Sequence, residues 1–86
     1  MRFPRAKFVD EKTLFQQLDH IQTEVDEAQM EGCTVPVNFD QAAMELWDVI
    51  HSAETALRIL QEKYRVDVKG AMDAVIQKNV DRGYYA

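Results

Sequence analysis

Leu14, Leu18, Ile21, Val25 and Ala28 follow one another at steps of four, three, four and three residues, the stripe of a helix with one face turned to a core. The spacing predicts a first helix from about Thr13 to Glu31, opened by a Thr13/Gln16 capping box and ended by Gly32 as its left-handed residue. A short loop holding Pro36 leads to Asn38, a good N-cap for a second helix. Its stripe runs through Phe39, Ala42, Leu46, Ile50, Ala53, Leu57, Leu60 and Tyr64. Met44, Trp47, Val49 and Ile59 fall outside that stripe, so this helix is apolar on more than one side and should meet more than one neighbour. Asp67 caps a third helix from about Val68 to Arg82, with Ala71, Met72, Val75, Ile76 and Val80 facing inward and Gly83 as terminator. Residues 1–9 read as an extended N-terminal segment. Sustained two-residue alternation and solenoid-period repeats are both absent. The fold class expected is all-α: an antiparallel helical hairpin plus a third, C-terminal helix, one domain over residues 1–86.

Composition adds size and surroundings. With 86 residues, 47% of them hydrophobic, the chain is too apolar for a disordered tail. A domain this short buries only about 60% of the surface its unfolded chain exposes. Cys33 is the only cysteine, so no internal disulfide compensates, and a homo-oligomer is expected, dimer or tetramer. The same lone cysteine excludes a zinc-type cysteine cluster and gives no sign of an oxidising compartment, so the expected location is cytoplasmic. Met1 to Phe8 carries Arg2, Arg5 and Lys7 without the apolar core of a signal peptide, and no apolar run is long enough for a membrane span. A net charge of −5 argues against a nucleic-acid polymer as partner, because backbone binding needs a basic surface.

Against that background one arrangement stands out. Glu24 and Glu27 on the first helix, and Glu45 and Asp48 on the second, form two pairs with the same three-residue step, which puts each pair on one helix face. Glu24 precedes the stripe residue Val25 as Glu45 precedes Leu46, so both pairs flank their stripes on the equivalent side. At about 1.5 Å per residue, the first pair lies roughly 6 to 11 Å back from the end of its helix and the second roughly 9 to 14 Å into the next. In an antiparallel hairpin those heights overlap. Converging carboxylates resist ionising unless a cation sits among them. Their oxygens are hard ligands suited to Mg²⁺, with Mn²⁺ as a substitute, and Mg²⁺ bridges protein carboxylates to substrate phosphates. Such a metal polarises a phosphoryl oxygen and lowers the pKa of bound water, and a carboxylate not fully engaged with it can accept that water's proton. The plainer reading, a solvated acidic face on each helix, stands beside this one.

The order Glu24, Glu27, seventeen intervening residues, Glu45 and Asp48 resembles the signature of MazG-like all-α nucleoside triphosphate pyrophosphohydrolases. The ending from Val75 to Tyr85, with Lys78, Asn79 and Arg82, is similar to that family's C-terminal segment. Together the two cover residues from about 10 to 85. The resemblance implies Mg²⁺ held by Glu24, Glu27, Glu45 and Asp48, which form the catalytic set. It implies substrate phosphates faced by Lys78, Asn79 and Arg82, and sites built between helices of two subunits around a four-helix-bundle core. Tyr84 and Tyr85 are placed either to close the site or to pack the C-terminus, and Tyr85 joins the substrate-binding set. Where the family has two adjacent glutamates before its first spacing, the first of them is Thr23 here.

Other residues carry two readings each. Lys78 and Arg82 suit a polyphosphate, but cations near a helix C-terminus also favour the helix dipole. His51, three residues after Asp48, is open to a di-iron carboxylate reading, although His20 has Gln17 and not an acid three positions before it. Trp47 suits stacking on a nucleobase or ordinary packing. The expected activity is Mg²⁺-dependent cleavage of a nucleoside triphosphate between the α and β phosphates, giving monophosphate and pyrophosphate. The alternatives are a non-catalytic helical interaction module and a metal-dependent nucleotide binder without turnover.

Overall fold

The computed structural model describes residues 1–85, and those residues are helical wherever they are regular. In chain order the elements are α1 (Phe8–Glu11), α2 (Leu14–Cys33), α3 (Phe39–Tyr64) and α4 (Val68–Asp81). α2 and α3 form the antiparallel hairpin around which the rest is arranged. Thr13 opens α2 with both halves of a capping box: its hydroxyl accepts from the Gln16 backbone N–H, and the Gln16 side chain accepts from the Thr13 N–H. Asn38 caps α3 by accepting from the Gln41 N–H, and Asp67 caps α4 by accepting from the Gly70 N–H.

The first helix does not end at Gly32. α2 runs through it to Cys33, and Thr34 breaks the helix with extended backbone while its hydroxyl donates to the Met30 carbonyl. A glycine stops a helix only when it takes up the left-handed conformation, and Gly32 does not. Gly83, at φ +75°, does. At the far end of α3 the left-handed position belongs to Arg65, at φ 56°, whose N–H returns to the Leu60 carbonyl.

The N-terminal segment is also not wholly extended. Residues 8–11 close a single helical turn, which burial of Val9 against α3 holds in place. Arg5 bridges Asp10 and Glu62 at 2.8 Å each. Glu54 accepts from the backbone N–H groups of Arg2 and Phe3, and Arg58 donates to the Phe3 carbonyl. The segment is thereby strapped lengthwise along α3.

The core within one chain is thin. Val9, Ala56 and Ile59 are the buried apolar residues among those described, and Gln17, Ser52 and Thr55 are buried as well. Much of the expected inward stripe stays open: Leu18, Val25, Leu46, Ile50 and Leu57 are exposed, and no residue of α4 is fully buried. The solvent-accessible surface is 6489 Å², against about 5200 Å² for a folded monomer of this size. The radius of gyration is 15.0 Å, against about 12 Å for a compact chain of this length. Ile59, with no exposed surface, is the centre of what core there is. Ile59→Ala is expected to cost about 3 kcal/mol by the lost transfer energy and the cavity left behind. Denaturant unfolding at matched protein concentration measures it.

Candidate metal centre

α2 and α3 present their acidic pairs to one another. Glu24, Glu27 and Glu45 each offer a carboxylate oxygen, and these three oxygens lie within 4.8 Å of one another. Asp48 stands outside that group but close by. It lines, together with Glu24, a cavity of about 180 Å³ that also touches His20, His51 and Gln17.

Each side chain is held differently. Glu24 is mostly buried, its side chain 15% exposed, and takes a hydrogen bond or ion pair from His20 Nε2 at 3.1 Å. Glu45 has one oxygen fixed by the Gln41 amide at 3.0 Å, while its other oxygen is buried with no partner. Glu27 is exposed and reaches the group from the rim. Burial pushes the Glu24 carboxyl above its usual range, and the charges of Glu27, Asp48 and Glu45 push it the same way, while His20 opposes them. Burial is the larger of these effects, with the neighbouring acids adding to it.

The donor set fits a hard divalent ion. Carboxylate oxygens from two helices meet within the reach of one ion, and a buried Glu45 oxygen lacks any other partner. Glu24, Glu27 and Glu45 would hold such an ion, with Asp48 beside them.

The raised Glu24 sets a pH dependence. A carboxyl whose folded pKa exceeds its unfolded value favours the folded state while protonated and withdraws that support as it ionises. Stability of the metal-free protein should therefore fall as pH rises from about 4.5, the ordinary value, through the raised one. Asp10 and Glu62 are held low by Arg5, and Glu54 is held low by the Phe3 and Arg2 N–H groups against the opposing push of desolvation. Those three act with the opposite sign, losing their support as pH falls below the usual carboxylate range. Melting temperature against pH in EDTA checks this: it should decline as pH rises above about 4.5, and Glu24→Gln should flatten the decline.

The residues expected to face substrate are elsewhere in the single chain. Lys78 and Asn79 lie on α4, Arg82 caps its end and Tyr85 follows it. Lys78 and Arg82 are exposed and, among the described residues, neither has an ion-pair partner. Tyr85 is exposed as well. Trp47 is half exposed, with Phe3 edge-on at 5.9 Å and the Arg2 guanidinium 5.5 Å above its ring. His51 stacks on Phe3 at 4.5 Å between ring centroids. Two residues central to the cavity, Gln17 and the N-terminal Phe8, were not among the expected site residues. For Gln17 a signal existed: it sits three positions after Leu14 and four before Ile21, so it is a polar residue set into the core stripe.

The fold and cluster define an all-α protein with an interhelical carboxylate centre. In comparisons with known proteins no family model, no curated protein and no solved structure matched this chain.

Proposed function

We propose that this protein is a Mg²⁺-dependent nucleoside triphosphate pyrophosphohydrolase, cleaving between the α and β phosphates to release monophosphate and pyrophosphate. The observation that carries the reading is the meeting of Glu24, Glu27 and Glu45 oxygens within 4.8 Å, with a buried Glu45 oxygen left unpartnered. The ordered carboxylate spacing and the Lys78/Asn79/Arg82 ending, which resemble MazG-like enzymes, supply the choice of substrate. A bound Mg²⁺ would neutralise the polyphosphate, polarise a phosphoryl oxygen and acidify the attacking water.

The chain's own residues do the rest. Glu24, Glu27 and Glu45 anchor the ion, and Gln41 and His20 hold two of them in position. Asp48, outside the three-oxygen group and facing the cavity, is free to accept the water's proton. Lys78, Asn79 and Arg82 receive the charge that develops on departing pyrophosphate, as cations and amides do for phosphoryl oxygens.

No residue of α4 is fully buried in its own chain, which supports a second copy as the source of these last residues. The chain carries over 1000 Å² more surface than a monomer of its size needs, and a standard interface buries about 800 Å² per partner. The open apolar groove between α2 and α3, lined by Val25, Ala28, Leu46 and Val49, is where that copy packs.

A panel of standard and modified nucleoside triphosphates incubated with Mg²⁺ or Mn²⁺ tests the activity, with monophosphate and pyrophosphate as the products sought. A helical interaction module would yield neither from any member of the panel.

A further inference from the structure

Two of the three clustered carboxylates are steadied from one turn away on their own helix, Glu45 by Gln41 and Glu24 by His20. The second support has a neighbour of its own. His20 Nε2 lies 3.1 Å from a Glu24 oxygen, while the His20 ring stands 6.2 Å from the ring of Phe8 between centroids, tilted by 48°. That separation and tilt fall in the range where aromatic pairs attract. The His20 side chain is 32% exposed, so on an isolated helix more than one staggered position would be open to its ring. A ring packed beside it selects among them.

Phe8 owes its place to α1 and α3, not to α2. It begins the single turn of α1, which the Lys12 N–H closes on the Phe8 carbonyl at 2.9 Å. The next residue, Val9, has no exposed surface, and Arg5 ties Asp10 of that turn to Glu62 of α3. Lys12 Nζ lies 4.5 Å from the centre of the Phe8 ring, a cation–π contact that holds the ring itself. Ala6 and Phe8 line the same cavity as His20, Glu24, Asp48 and His51, so the strap forms one wall of the space beside the acids.

Resting on the metal reading above, we infer that the N-terminal segment belongs to the carboxylate centre, with Phe8 as a positioning residue that sets the His20 ring and, through it, the Glu24 carboxylate for a divalent ion. The segment supplies no ligand. It fixes the direction of one, along a path from the Val9 anchor through Phe8 and His20 to Glu24. Partners of metal ligands tune affinity in this way by limiting the orientations a ligand can take.

The test titrates Mn²⁺ alone into the full chain by calorimetry, with no nucleotide present. Phe8→Ala should weaken Mn²⁺ binding about tenfold, the lower end of what an outer-sphere partner contributes. Phe8→Tyr, which keeps a ring beside His20, should bind as the unaltered protein does. His20→Ala should weaken binding by itself, and adding Phe8→Ala to it should cost nothing more, because the path through His20 is already cut. Should Phe8→Ala fail to fold, Phe8→Leu keeps apolar bulk without the ring and goes through the same cycle. Unchanged affinity on losing the ring, or losses that simply add in the double variant, overturns the inference. An unaltered protein that takes up no Mn²⁺ sinks the metal reading and this inference together, whereas one that binds Mn²⁺ and is indifferent to Phe8 sinks this inference alone.

Discussion

Glu45→Ala and Asp48→Ala are each expected to lower Mg²⁺-dependent pyrophosphate release by about 10³-fold or more, with helical content unchanged. Even outer-sphere partners of a metal ligand are worth about 10- to 100-fold and a general base about 10²- to 10⁴-fold, so losing a ligand, as proposed for Glu45, or the base, as proposed for Asp48, should be at least as costly. Glu45, a ligand in the proposed site, has one oxygen committed to Gln41 and the other buried without a partner, so alanine removes a group that nothing nearby can replace. Asp48 faces the cavity and carries no hydrogen bond that the fold depends on. Neither substitution touches the buried core at Ile59 and Val9. Removing one of several crowded acids should leave the metal-free protein as stable as before or slightly more so, which separates loss of chemistry from loss of structure. Release of pyrophosphate and circular dichroism, measured on the same preparations, check the two halves. Undiminished turnover in both variants would end the assignment.

The second large effect concerns assembly. If the protein assembles as proposed, Leu46→Glu, in the groove between α2 and α3, should leave it as single chains at micromolar concentration. Leu46 is 58% exposed in one chain and sits among Val25, Ala28 and Val49, so a partner would bury it in an apolar setting. An unpaired charge there costs far more than the lost contact. Sedimentation velocity gives the mass directly, and hydrolysis should fall in step with it. A variant that stays assembled, or an unaltered protein that is a single chain at the same concentration, would remove the second copy from the proposed site.

How much of this was legible depended on what each residue answers to. The three long helices follow from local periodicity and capping chemistry: Thr13, Asn38 and Asp67 each cap where their side-chain chemistry says they should. The meeting of Glu24, Glu27 and Glu45 was readable because equal spacing on two antiparallel rods fixes height and face together. Asp48 is the partial exception, since a residue one helical turn beyond Glu45 shares its face but not its depth. The turn at Phe8–Glu11 was not readable, because a four-residue helix has no periodicity and exists through Val9 and the Arg5 ion pairs. Gly32 misled because its residue type permits a stop without requiring one. The burial of Gln17 depends on the Ser52 carbonyl thirty-five positions away, which no local pattern encodes.

The non-glycine elbow at Arg65 has its own bearing on assembly. The left-handed region is a small, sparsely populated basin for a side-chain-bearing residue, and Arg65 is held in it by the bond from its N–H to the Leu60 carbonyl. That bond holds the direction in which α4 leaves α3, so if a second copy docks as proposed, less freedom would be surrendered and more of the contact energy would survive as affinity.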